Sequence, residues 1–193
     1  MKFEKIKIEP FNDAYIIKPK VFSDIRGCFF ESYNISELEK IGFKRDFVQD
    51  NVSISKKGVL RGLHYQWNES LGKLVQVMKG SIRDVIVDMR KGSKTYGKHA
   101  IINVRGKDKK IIWVPEGYAH GFLSLEENTV VHYKYTTFYN QQGEGTINPF
   151  DEFLNISWVL TKNKIIQSER DKVCVSFKDY DKEPKFFVGE QKK

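Results

Sequence analysis

GVLRGLHYQ, residues 58–66, lies between stretches rich in strand-forming residues, and its spacing decides how the chain is read. Side chains along a strand alternate between its two faces, so residues two apart point the same way. A second histidine at position 66 would complete the His-x-His pair with which a strand grips a metal ion. Position 66 is Gln66, with Arg61 just before His64. The spacing looks like that of a metal-binding strand whose second ligand position is taken by glutamine.

Outward from this strand, Asp13 to Phe22, Gln49 to Ser55, Leu74 to Arg90, Lys98 to Gly106, Lys110 to Gly117 and Thr129 to Tyr139 are rich in Val, Ile, Tyr, Phe and Thr. Punctuated by Gly or Asn, such runs read as strands. A helix is predicted over Asn34 to Ile41, where Asn34 or Ser36 caps and Gly42 terminates, and a shorter helical turn over Ser168 to Asp171. Lys79-Gly80 and Arg105-Gly106-Lys107 read as tight turns between adjacent strands. Short strands at this spacing predict an antiparallel sandwich or closed barrel.

The chain has 193 residues, 40% of them hydrophobic and 13% aromatic, enough for one well-filled core. It reads as a single domain over 1–193 with a polar tail from about residue 182. The start of the chain, MKFEKIKIEPF, alternates charged and apolar residues and is no signal peptide, and no run reaches membrane-spanning length. A cytoplasmic protein without a membrane partner is expected. Cys28 and Cys174 lack CxxC spacing and read as incidental thiols. The net charge of +8, from 33 basic and 25 acidic residues, favours an anionic partner. Those basic residues are dispersed rather than gathered into a stripe interleaved with aromatics, which argues against nucleic acid.

Two segments carry a more specific pattern: Gly58, His64, Gln66, Lys73 and Gly80, then Pro115-Glu116-Gly117-Tyr118-Ala119-His120. The spacing resembles the two motifs of the cupin superfamily, a small jelly-roll barrel. The resemblance implies a mostly-β, cupin-type jelly-roll barrel with a few short helices. Its four usual metal positions align with His64, Gln66, Lys73 and His120. A protonated lysine offers no lone pair and a neutral glutamine is a poor ligand, so no metal is expected there.

Longer strings narrow the resemblance: Phe22 to Glu31, Gln49 to Ser53, Gly58 to Gln66, Gly72-Lys73, Asp84 to Arg90, Pro115 to Phe122 and Tyr133-Lys134. In this order they resemble the dTDP-4-dehydrorhamnose 3,5-epimerases over nearly the whole chain, from the first strand to Asp171. The resemblance implies a cofactor-free enzyme that inverts the carbons flanking the ketone of dTDP-4-dehydro-6-deoxy-D-glucose, in L-rhamnose biosynthesis.

Such a reaction needs a base, an acid and a group that stabilises an enolate. His64 suits the base, because imidazole ordinarily titrates near pH ~6.5. The resemblance assigns Asp171 to orient it and Tyr133 to act as acid, and the charge of Lys73 suits it to stabilise the enolate oxygen. The resemblance likewise places Arg26, Glu31, Gln49, Asn51, Arg61, His120, Glu144 and Arg170 against sugar and nucleotide, with Tyr139 stacking on the thymine. A homodimer, with the N-terminal strand pairing across subunits, is also implied.

The sequence departs from the family pattern at Leu71, Arg170, Asn140 to Gly143 and Val159, all near segments that would hold sugar and base. An enzyme that epimerises one carbon, or takes another nucleotide-linked keto sugar, is the nearest alternative. A non-catalytic sugar-nucleotide-binding cupin would not require His64, Asp171 and Tyr133 together.

Overall fold

A computed structural model of the chain describes residues 2–189. In chain order the strands are β1 (Phe3–Lys7), β2 (Tyr15–Pro19), β3 (Val21–Asp24), β4 (Gly27–Phe30), β5 (Gln49–Ser55), β6 (Leu60–Gln66), β7 (Lys73–Lys79) and β8 (Ser81–Asp88). They continue as β9 (Arg90–Lys91), β10 (His99–Arg105), β11 (Ile111–Val114), β12 (Tyr118–Ser124), β13 (Thr129–Tyr135), β14 (Glu144–Thr146) and β15 (Phe186–Phe187). Six strands form one antiparallel sheet in the order β1-β2-β11-β7-β13-β5, and five form another in the order β10-β8-β12-β6-β14. From β5 to β14 the chain crosses between these sheets at nearly every connection, which is the winding of a jelly roll. The mostly-β, cupin-type architecture read from the sequence is the one observed.

The two predicted turns do more than join neighbours, because each carries the chain from one sheet to the other: β7 to β8 at Gly80, and β10 to β11 at Gly106. They also bond to each other, Gly106 N–H donating to Gly80 O at 2.9 Å. At Gly80 φ is +80°, and a Cβ there would lie 2.4 Å from Thr129 Oγ1, so only glycine fits this crossover.

Apolar side chains fill three layers. Between the sheets lie Phe11, Val75, Ile82, Ile86, Ile112, Phe122 and Val131, all buried. The outer face of the five-stranded sheet carries Leu63, Val85 and Val87, packed against Leu154, Phe177 and Tyr180 from the C-terminal segment. The outer face of the six-stranded sheet carries Ile17, Leu74 and Trp113 beneath Leu38 and Phe43. Alternation along β8 shows the logic: Ile82 and Ile86 point between the sheets, Val85 and Val87 outward, and both sets are covered. Each fully buried side chain of this size contributes about 1.5–3 kcal/mol of transfer free energy.

Helix α1 (Ile35–Glu39) forms within the predicted stretch, its cap Asn34 accepting from Glu37 N–H, and Leu38 is its core anchor. Helices α2 (Glu169–Lys172) and α3 (Phe177–Lys182) lie between β14 and β15. The stretch read as a polar tail is docked as far as Val188: β15 pairs in parallel with β9, Val188 N–H donates to Lys91 O at 3.0 Å, and Phe186 is buried against Tyr65. Apolar Phe186 and Phe187 within a lysine-rich stretch were the signal for docking. Residues 190–193 of that tail lie outside the described residues. Among the described residues no helix is long and apolar enough to cross a membrane.

Candidate active site

A cavity of about 230 Å³ opens between the sheets, lined by Asn51, Val52 and Ser53 of β5, Arg61 and His64 of β6, Lys73 of β7, His120 to Phe122 of β12, and Tyr133 and Tyr135 of β13. Arg61 and His64 are three residues apart, a separation that would put them on opposite faces of a regular strand. The register resolves this, since His120 stands opposite His64 but Phe122 stands opposite Arg61. One extra residue is accommodated in β6, a bulge that turns both side chains inward. Gly62 makes it, with φ at +100° and a would-be Cβ only 2.6 Å from His120 O.

Asp171 reaches His64 across 107 residues of sequence because the C-terminal segment is stitched to the start of β6. Leu60 N–H donates to Ile166 O, and Ile166 N–H to Gly58 O, each at 2.9 Å. Ser168 then caps α2 by accepting from Asp171 N–H, which fixes Asp171 in the helix's only turn. The His64 Nε2–H donates to Asp171 Oδ1 at 2.5 Å. A carboxylate only accepts, so this bond leaves the neutral ring's lone pair on Nδ1. Burial opposes charge on Asp171, but the bond from His64, together with Ser168 and the charge of Arg170, outweighs it and holds the carboxyl below its usual range.

Deeper in the cavity, Lys73 is only 6% exposed. Burial brings its pKa down to about 8, while the neighbouring carboxylate of Asp84 favours the charged form. Asp84 is fully buried; its Oδ2 accepts from His120 Nε2 at 2.8 Å and its Oδ1 has no hydrogen-bond partner among the described residues. Burial also lowers the His120 pKa, against the pull of Asp84. From the opposing wall, the Tyr133 hydroxyl lies 3.1 Å from Ser53 Oγ, and burial raises its pKa, which keeps the phenol protonated at neutral pH. Lys73 also sits over the ring of Tyr135, 5.9 Å from its centroid. His64 comes from the five-stranded sheet and Tyr133 from the six-stranded one.

Asp84, Tyr135 and Ser53 went unassigned in the sequence reading. Asp84 had a legible signal: it shares a face with Ile82 and Ile86, an acid on the inward side of an apolar alternation. Tyr135 was legible too, two residues after Tyr133 on the same face of β13.

A second cluster adjoins the cavity. Arg170 donates to Tyr139 Oη at 2.6 Å and pairs with Glu144; Tyr139 Oη donates to Glu144 Oε2 at 3.1 Å. Gln49 Oε1 accepts from Tyr139 N–H at 2.9 Å, and Gln49 Nε2 donates to Asn51 Oδ1 at 3.1 Å. Arg26 and Glu31 join neither cluster. Arg26 projects from the β3–β4 hairpin with its side chain 86% exposed and paired to Asp24, and Glu31 accepts from Lys2 and Asn34.

The four positions aligned with cupin metal ligands are each committed elsewhere. His64 bonds Asp171, His120 bonds Asp84, Lys73 is a buried cation, and the Gln66 amide turns away to hold the segment around Phe138 and Asn140. This donor set does not fit a transition metal.

The dTDP-4-dehydrorhamnose 3,5-epimerase family model matches residues 9–179. The dTDP-4-dehydrorhamnose 3,5-epimerase of Salmonella typhimurium is 49% identical over 148 residues, covering 76% of this chain and 81% of the relative. Among solved structures, a dTDP-6-deoxy-D-glucose-3,5-epimerase of Legionella pneumophila in complex with dTDP-4-keto-L-rhamnose is 38% identical, with a TM-score of 0.87 over 91% of this chain and 93% of that one. A 3′-monoepimerase of Streptomyces bikiniensis in complex with dTDP-quinovose shares the fold at 27% identity and a TM-score of 0.83, over 92% of this chain and 90% of that one.

Proposed function

The chain belongs to the dTDP-4-dehydrorhamnose 3,5-epimerase family, isomerases acting on carbohydrates, and from that premise we propose that it inverts both carbons flanking the 4-keto group of dTDP-4-dehydro-6-deoxy-D-glucose. His64 Nδ1 takes the proton from the carbon beside the ketone. The C–H electron pair becomes the carbon–carbon double bond of an enolate, and the carbonyl pair moves onto oxygen, where the Lys73 ammonium stabilises it. The Tyr133 hydroxyl returns a proton to the opposite face of that carbon. Imidazolium and phenolate then reset by proton exchange through solvent, and the same cycle serves the second carbon. Asp171 holds the His64 tautomer and stabilises the imidazolium.

The observation that carries this reading is the origin of base and acid on different sheets: His64, bonded to Asp171, and Tyr133 line one cavity from facing walls, with Lys73 beside them. Inversion requires donor and acceptor on opposite faces of the sugar ring. Arg61 and His120 serve sugar and phosphate oxygens, while Gln49, Asn51, Tyr139, Glu144 and Arg170 serve the nucleotide.

The protein acts as a homodimer in this reading. The β3–β4 hairpin exposes Phe22, Ile25 and Phe29, the last 70% exposed, and the edge strand β5 exposes Val52 and Ile54. Apolar surface of this kind on a hairpin and a sheet edge favours pairing with a second copy. That pairing would bring Arg26 and Glu31 of one copy to the nucleotide of the other.

The test is deuterium exchange. Metal-stripped protein is incubated with the keto sugar nucleotide in deuterated water and followed by NMR, beside His64→Ala and Tyr133→Phe. Incorporation at both carbons, lost in His64→Ala, is expected. Incorporation at one carbon would make this chain a mono-epimerase, and none by folded protein would overturn the substrate or the chemistry.

A further inference from the structure

We propose that Gln66 is a positioning residue for nucleobase recognition, its buried amide setting the loop that presents Tyr139. The inference rests on the dTDP-sugar reading above. Gln66 is 3% exposed and does not line the cavity between the sheets. Its Oε1 accepts from Asn140 N–H at 2.8 Å, and its Nε2 donates to Phe138 O at 3.1 Å and to Glu69 O at 2.8 Å. Phe138 and Asn140 are the two neighbours of Tyr139, so one amide brackets the aromatic from both sides. The amide has a single workable orientation, because the carbonyls of Phe138 and Glu69 only accept and the Asn140 N–H only donates.

Other contacts converge on the same residue. The backbone of Gln66 pairs with Glu144 in the β6–β14 ladder, and Glu144 accepts from the Tyr139 hydroxyl. Thr137 Oγ1 donates to Glu69 O at 3.2 Å, closing the two loops on each other around the amide. An open cavity of about 780 Å³ lies on this loop, lined by Glu69, Tyr139, Asn140, Gln141 and Gln142. The Tyr139 side chain is exposed and belongs to no core cluster; its hydroxyl is held at the surface by Arg170 and Glu144. The backbone that carries this side chain is set by hydrogen bonds to Gln66 on both sides and to Gln49, and a loop ordered before binding spares that ordering when the base arrives.

Acting through Tyr139 has a distinctive signature, and calorimetric titration with dTDP reads it on the full chain, with thermal unfolding as the check on folding. Tyr139→Ala is expected to weaken dTDP at least about fivefold, the loss of one stacking partner. Gln66→Met keeps length and apolar bulk, removes donor and acceptor together, and is expected to weaken dTDP by at least about fivefold as well. In the Tyr139→Ala background the same change should cost less than about twofold, because the two residues act on one contact. Turnover at saturating substrate should stay within about twofold of wild type, placing the loss in KM rather than kcat. Gln66→Glu provides a second variant: its carboxylate faces two carbonyls and should weaken dTDP near pH 8, with recovery toward pH 6 relative to wild type as it gains a proton.

Unchanged affinity in either folded Gln66 variant would overturn the inference, as would full additivity with Tyr139→Ala. Unfolding of both would assign Gln66 to the fold alone and overturn it too. Wild-type protein that binds no dTDP would overturn the substrate reading instead, and that result is visible before any variant is made.

Discussion

Lys73 should make activity and stability move in opposite directions with pH. Its pKa falls from 10.5 to about 8 in the folded chain because burial outweighs the attraction of Asp84, which corresponds to about 3 kcal/mol against the charged form. Between these two values the unfolded chain binds more protons than the folded one, so stability rises with pH across that window and the contribution is complete above 10.5. By pH 9.5 the gain is about 2 kcal/mol, or about 4–8 °C in Tm for a chain of this size. Turnover should behave oppositely, falling about tenfold per pH unit above pH 8 as the ammonium that meets the enolate is lost. Lys73→Met removes both behaviours. At pH 7 it should lower kcat by about 10²–10³, and its Tm should fall steadily behind that of wild type from pH 8 to 9.5. Urea or thermal unfolding at matched pH, beside a pH–rate profile, reads both arms. Parallel stability curves for wild type and Lys73→Met over that range would refute the buried-charge argument, and a wild-type rate that stays flat to pH 10 would refute the enolate role.

Asp171→Asn should leave the fold intact and reduce kcat by about 10²–10⁴ by releasing the His64 tautomer; nitrogen NMR of the imidazole checks that the proton has redistributed between Nδ1 and Nε2. Gly62→Ala should destabilise the chain by at least about 1–3 kcal/mol, since φ is +100° and the added Cβ meets His120 O; thermal unfolding gives the size, and loss of activity should accompany it as the bulge shifts. Phe29→Asp, on the exposed hairpin, should convert a dimer to a monomer in analytical ultracentrifugation and weaken dTDP binding if Arg26 serves the other copy.

Much of the fold was legible because strand periodicity and glycine punctuation are local. The turns at Gly80 and Gly106 could be located from sequence, but their crossing between sheets depends on Thr129 and Met78 packing against them. His64, Lys73, His120 and Tyr133 were legible as types in a motif and do share one cavity. The partnership of His64 with Asp171 lay beyond local pattern, since it depends on the Ile166 bridge to Gly58 and Leu60. Arg61 illustrates the limit most sharply: simple alternation would have turned it away from His64, and only the register slip opposite His120 brings it inside. Arg26 and Glu31 had no such local signal: Arg26 stands on the exposed β3–β4 hairpin and Glu31 pairs with Lys2, and only the dimer proposed above would bring either to a nucleotide.

The commitments of the four positions aligned with cupin metal ligands also constrain which substitutions could build a metal site. Gln66→His would restore an imidazole two residues from His64, but it would release Phe138 and Asn140 while the Lys73 cation still stood in the quartet. Replacing Lys73 with a carboxylate first would set it against Asp84 in a buried space. Each single step toward a metal loses something the present site uses and gains nothing until the other step is made. A metal site here is thus blocked by supporting contacts rather than by the reacting groups themselves.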